Sequence, residues 1–176
     1  EPCGSTYEAL LMREADRRVI SLDPNIRPTF ITDADSHRAR IERMAAKSDI
    51  VKFSDEDLDW FGLEGSLDDK ARHWIAAGAS LVVITCGADG AIGYTGEHKV
   101  EVPSEKVAVV DTVGAGDTFD AGILASLDIA GLLTKEQIRT LAPEAIAEAL
   151  ALGARAAAVT VSRAGANPPY AHEIGL

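Results

Sequence analysis

The residues with the clearest chemical potential lie in one run, Asp111-Thr112-Val113-Gly114-Ala115-Gly116-Asp117-Thr118-Phe119-Asp120-Ala121-Gly122. The run follows an apolar stretch and opens a helical pattern. That context puts the amides of Gly114, Ala115, Gly116 and Asp117 at a helix N-terminus, where unpaired N–H groups and the helix dipole both favour an anion. A carboxylate beside a bound phosphate can take a proton from an attacking hydroxyl, and Asp117 is placed for that work. On chemistry alone it is as readily a helix-capping carboxylate. No Gly-Lys-Ser/Thr follows, so the turn is not a Walker loop, and Phe119 stands where a dinucleotide fingerprint needs glycine.

Three further segments join short apolar runs to polar turns. In Asp23-Pro24-Asn25-Ile26-Arg27-Pro28, Arg27 offers a fork of donors for a phosphate or sugar oxygen; it reads equally as a surface arginine beside a proline-fixed turn. In Lys52-Phe53-Ser54-Asp55-Glu56-Asp57, Ser54 and Asp57 have capping-box spacing, and the acids suit a first helical turn. Lys52 could reach a phosphate or be an exposed strand residue. Thr85-Cys86-Gly87-Ala88-Asp89-Gly90 ends a strand in a glycine turn, the place where open α/β sheets bind ligands, although a tight turn alone would also need Gly90. His37, His73, His98 and His172 show no metal-ligand spacing, and Cys3 and Cys86 make no disulfide framework.

The elements that must carry these groups alternate. Strands are predicted at Val19–Leu22, Asp49–Phe53 and Leu81–Thr85, the last an unbroken β-branched run suited to burial on both faces. Short strands follow at Ile92–Tyr94 and Lys99–Val102, then a further core strand at Val107–Val110. Helices are predicted from about 33 to 46, with Asp33 or Asp35 near the cap, from Ser54, from Ser66, where Asp69 repeats the capping-box spacing, to near Gly78, and at 117–130, 134–141 and 143–158, with Pro143 in a first turn. Val159–Val161 is a short apolar run. The pattern implies a mostly parallel α/β sheet with helices on both faces. The 176 residues fit one domain of moderate size, with a folded surface of about 8,000 Å². A formal charge of −11, from 28 acidic against 17 basic residues, argues against nucleic acid or an anionic membrane as partner. It leaves room for an anionic small ligand held by backbone amides. No transmembrane run or signal peptide is visible, and the two cysteines suit a reduced cytoplasm.

The run Asp111–Gly122 resembles the C-terminal signature of the PfkB (ribokinase-like) carbohydrate kinases. The Asp23–Pro28 segment is similar to the Asp-Pro-Asn-x-Arg motif of fructokinases and 2-keto-3-deoxygluconate kinases in that family. The resemblance implies a three-layer α/β/α fold and ATP-dependent phosphorylation of a sugar hydroxyl, with Asp117 as general base and Gly114, Ala115 and Gly116 as the anion hole. It implies nucleotide contacts at Lys52, Thr85, Gly87, Gly90 and Asn167, and substrate or phosphate contacts at Asn25 and Arg27. Ser54 and Asp57 stand where the family's Asn-x-x-Glu motif places Asn and Glu, so Asp57 is an indirect Mg²⁺ candidate; Asp111 is the K⁺ candidate. Fructose is the leading substrate. 2-Keto-3-deoxygluconate, ribose and a nucleoside are the rivals, and a non-catalytic nucleotide-binding module is the alternative of another class. The family's N-terminal Gly-Gly motif, sugar-gripping aspartate and β lid have no counterpart here. Residues 1–176 therefore read as the C-terminal part of one kinase domain, inactive alone and exposing an apolar edge or face. The complete protein is a candidate homodimer.

Overall fold

The computed structural model describes residues 3–176; Glu1 and Pro2 lie outside the described residues. The chain resolves into two compact units.

The first unit runs to Thr85 and includes Tyr94–Glu97 and Thr134–Thr140. Its strands β1 (Ser21–Leu22), β2 (Ile50–Ser54) and β3 (Leu81–Thr85) lie side by side and parallel. Ser21 faces Ile50, and Ile50 faces Leu81. Four of five residues in both β2 and β3 are buried, as their near-continuous apolar sequence requires of parallel strands. Helices α1 (Cys3–Glu14), α2 (Ala34–Ala45), α3 (Asp55–Trp60) and α4 (Leu67–Ala77) complete the unit, with α1 lying beyond the elements predicted from sequence. Three starts are capped as the sequence indicates. Asp33 accepts from the Ser36 amide, and Ser54 with Asp57 and Ser66 with Asp69 form reciprocal capping boxes. Phe53, Phe61 and Trp74 pack ring on ring, with centroids 4.9–5.7 Å apart. A groove of about 690 Å³ beside β1 is lined by Leu10, Leu11, Ile20, Leu22, Ile41 and Met44 among others.

The second unit comprises Cys86–Gly93, His98–Leu133 and Leu141–Leu176. Strand β4 (Ala91–Tyr94) pairs with β5 (Lys99–Val102), and helices α5 (Ala115–Ile129) and α7 (Pro143–Val161) pack together; the short α6 (Lys135–Ile138) belongs to the first unit. Glycine sets two close approaches. A Cβ on Gly93 would lie 2.7 Å from Ile146 Cγ2, and one on Gly122 would lie 2.7 Å from Gly153 Cα.

Two expectations are corrected. Val107–Val110 is no core strand: Val107, Val109 and Val110 are exposed, and the amides of Val110 and Asp111 donate to the Val161 carbonyl at the end of α7. A β-branched run becomes a strand only where a neighbour offers a ladder, and here a helix terminus takes these bonds. Val159–Val161 is no separate run but the last turn of α7. The exposed surface is 9557 Å², above the value of about 8,000 Å² expected from chain mass. Among the described residues, no helix is long and apolar enough to cross a membrane.

Candidate active site

In the second unit, Gly114 is the N-cap of α5 and adopts a left-handed conformation (φ 79°). A side chain there would be strained, and its Cβ would lie 3.2 Å from Ala166 Cβ. The Ala115 amide donates back to the Thr112 carbonyl at 3.2 Å, closing the turn. The Gly116 and Asp117 amides are then the first-turn donors left to face a ligand, since an α-helix supplies no internal acceptor for them. Ala115 thus helps shape the nest more than it donates into it.

The Asp117 side chain is exposed and makes no hydrogen bond or ion pair among the described residues. It accepts from no amide of the first turn. Behind it, the buried Thr118 hydroxyl donates to the Gly114 carbonyl at 2.8 Å. The fully buried Thr160 of α7 reaches the Thr118 hydroxyl at 3.1 Å. Sequence reasoning missed Thr160, because nothing local marks a residue 42 positions away as a support for the turn.

Asp111 closes the other side. One carboxylate oxygen accepts from the Val113 amide at 3.0 Å and the other from the Gly165 amide at 2.9 Å. The Val113 bond first, then the Gly165 bond, hold its carboxyl below the ordinary aspartate range. This clamp brings residues 165 and 166 against the turn, with the exposed Asn167 next in sequence. Each Asp111 oxygen keeps a second lone pair. Gly90 has a structural reason of its own: at φ 102°, a Cβ would lie 2.1 Å from the Val102 carbonyl oxygen. Gly87 (φ 53°) has open space around it.

The first unit gathers Asn25, Arg27, Lys52 and Asp57. Lys52 is neither exposed nor extended toward solvent; its side chain is 4% exposed, and its ammonium lies 2.6 Å from Asp23 Oδ2. Asn25 is exposed with φ 45°, the one non-glycine residue with positive φ among those described. Its amide donates to Asp23 Oδ1 at 3.1 Å. Arg27 is exposed and donates to the Ile26 carbonyl at 2.9 Å. Asp57 is buried, with Oδ1 accepting from the Ile26 amide (2.8 Å) and Oδ2 from the Ser54 amide (3.0 Å). Both oxygens serve main-chain donors and the side chain is buried, so as it stands Asp57 is closed to an ion arriving from solvent. Thr85 turns its hydroxyl to the Phe53 carbonyl at 3.4 Å. No group of three or more His, Cys, Asp or Glu among the described residues could hold a metal ion.

Residues 3–173 match the pfkB family carbohydrate kinase. The chain is 72% identical over 145 residues to a fructokinase of Rhizobium leguminosarum bv. trifolii, covering 82% of this chain and 44% of that protein. It is 34% identical over 173 residues to a probable chloroplastic fructokinase-6 of Arabidopsis thaliana, covering 96% of this chain and 43% of that one. A fructokinase double mutant from Vibrio cholerae O395, solved with fructose, ADP and potassium ion, superposes with a TM-score of 0.79 at 26% identity, over 92% of this chain and 50% of its own. Aminoimidazole riboside kinase from Salmonella enterica gives 0.75 at 28% identity, over 89% and 50%. A ribokinase from Thermotoga maritima shares the fold, at 0.68. The chain thus has the ribokinase-like α/β fold and spans about half the length of the proteins it matches. It belongs to the pfkB family of carbohydrate kinases.

Proposed function

We propose that this chain is the nucleotide-side and catalytic part of an ATP-dependent sugar kinase whose substrate is fructose. The observation that carries the reading is the Asp117 carboxylate, unengaged in the first turn of α5 beside the Gly116 and Asp117 amides. A capping-box carboxylate at this third helical position would accept from the N-cap amide, and Asp117 does not. This one is left to accept a proton from the sugar's hydroxyl, and the alkoxide so formed attacks the γ-phosphoryl group in line. The two amides face the charge that develops on the transferred group. The left-handed turn at Gly114 aims them, held by Thr118 from behind and by Asp111 from the side. Mg²⁺, arriving with the nucleotide, would neutralise phosphate charge; no residue described here is assigned to it. Asp111 and neighbouring carbonyls would hold a K⁺ beside the anion hole. Gly87, Gly90, Thr85 and Asn167 are proposed to border the nucleotide, and Asn25 and Arg27 the substrate or its phosphate. Fructose is favoured over 2-keto-3-deoxygluconate, ribose and nucleosides by the 72% identical fructokinase.

The test is replacement of Asp117 by Asn in a protein carrying the complete family fold. Turnover of ATP with fructose should fall by roughly 10²–10⁴-fold, while ATP binding, read by calorimetry, stays. Turnover close to that of the unsubstituted protein would sink the assignment. A sugar panel under the same assay decides the substrate.

A further inference from the structure

Two motifs that are separate in sequence are tied together by two carboxylates in the first unit. Asp23 spans from the loop to the strand: Oδ1 holds the Asn25 amide at 3.1 Å and Oδ2 the Lys52 ammonium at 2.6 Å. Asp57 spans the other way, from α3 to the loop: Oδ1 holds the Ile26 amide at 2.8 Å, and Oδ2 the Ser54 amide that begins α3. The bonds arrive on adjacent residues, Asn25 and Ile26. Between them the backbone holds a left-handed Asn25, a conformation that a non-glycine residue keeps only when its surroundings fix it. Ile26 is itself buried, whereas Asn25 and Arg27 on either side of it are exposed. The loop is therefore anchored at its middle and presents alternate side chains outward.

We infer that Asp23, Lys52 and Asp57 form a lock that positions Asn25 and Arg27, with Lys52 acting through Asp23 instead of contacting nucleotide phosphate. A lysine that is 96% enclosed and already paired in β2 would have to leave its carboxylate, at a large desolvation cost, to reach a phosphate. As a fixed cation behind the loop it needs no movement. Asp57 is likewise committed to two amides, which explains why an aspartate suffices at that place: the shorter side chain reaches the Ile26 and Ser54 amides together. The lock stands on its own geometry. Its consequence for turnover rests on the kinase reading above.

The experiment uses the 176-residue chain and the substitutions Asp57→Asn, Lys52→Met, Asp23→Asn and the double Lys52→Met/Asp23→Asn. Amide hydrogen exchange by NMR is read at Asn25 and Ile26 and, as reference, at Val51 and Val82. Asp57→Asn should cost the Ile26 amide about tenfold or more in protection while the reference strands keep theirs. Lys52→Met should release Asn25, and the double variant should be no worse there than either single one, because the pair acts as a unit. Unchanged exchange at Asn25 and Ile26 would overturn the lock. Equal loss in β2 and β3 would overturn it too, by making these residues supports of the fold at large. In the complete kinase, the same substitutions should raise KM by about tenfold with kcat within about twofold, as expected when positioning of a binding residue is lost; an equal fall of kcat would overturn the positioning role. Absence of turnover in the unsubstituted kinase would count against the kinase reading and leave the exchange result standing.

Discussion

At the scale of single residues, the division of labour among the aspartates is set by what each oxygen touches. Asp33, Asp57 and Asp69 all occupy helix starts and all accept from backbone amides there. Asp117 occupies the same kind of place and accepts from none. The sequence marks all four as capping candidates, and in it they look alike. Only the fold separates them, because Gly114 and Thr112 set the turn before Asp117 and leave its carboxylate turned to solvent. Thr118 carries the turn's internal support through its bond to the Gly114 carbonyl. Thr118→Val keeps the shape and removes that donor. It should cost about 1 kcal/mol of stability in urea unfolding, with a further loss of anion affinity at the nest. Affinity for a non-hydrolysable ATP analogue equal to that of the unsubstituted chain would show that the turn holds itself.

At the scale of elements, α5 is placed by its contact with α7. Gly122 and Gly153 let the two backbones meet: a Cβ on Gly153 would lie 2.8 Å from the Phe119 carbonyl oxygen. Replacing Gly153 with Ala gains up to about 1 kcal/mol of helix propensity. That oxygen belongs to main chain, however, and cannot rotate aside, and the Phe119 ring lies close behind it, 3.2 Å from the same Cβ. Overpacking should win, with a net loss of about 1–3 kcal/mol by denaturant unfolding and a shift of α5 that reduces turnover. A more stable Gly153→Ala chain would refute that crossing. The legibility of the elements follows the range of their signals. Ser54, Asp57, Ser66 and Asp69 announce helix starts through contacts three residues apart, and Gly78 and Pro143 mark boundaries through their own backbone limits. Val107–Val110 misleads because strand formation depends on a partner the segment does not have, and α7 runs to Val161 because tertiary packing carries a β-branched turn that propensity would end. The Lys52–Asp23 pair, 29 residues apart, is invisible to any local pattern.

At the scale of the molecule, a chain of net charge −11 would hold the proposed anion through amides and a helix end, not through a basic surface. The same acid-rich composition makes the fold sensitive to protonation, and two sets of groups set the window. Burial, with Arg40 nearby, holds His37 below its ordinary value of 6.5. The unfolded chain thus takes up this proton first, and stability begins to fall as pH drops below about 6.5. The carboxylates follow. Arg13 and Arg18 hold Glu14 low, the Ser36 amide holds Asp33 low, the Ser66 hydroxyl and amide hold Asp69 low, and Arg163 holds Glu173 low. With Asp111, each binds its proton less readily in the folded chain than in the unfolded one. Their stabilisation is complete above the ordinary values of 4.5 and 3.8, and is lost as pH falls through the lowered folded values. Thermal unfolding followed by circular dichroism should therefore show a level Tm above pH 7, a shallow decline starting near pH 6.5 and a steep one below pH 4.5. His37→Asn should remove the shallow decline and leave the steep one. A shallow decline that persists in that variant would assign it to another group, and a Tm that stays level down to pH 3 would show that these hydrogen-bonded carboxylates titrate alike in both states.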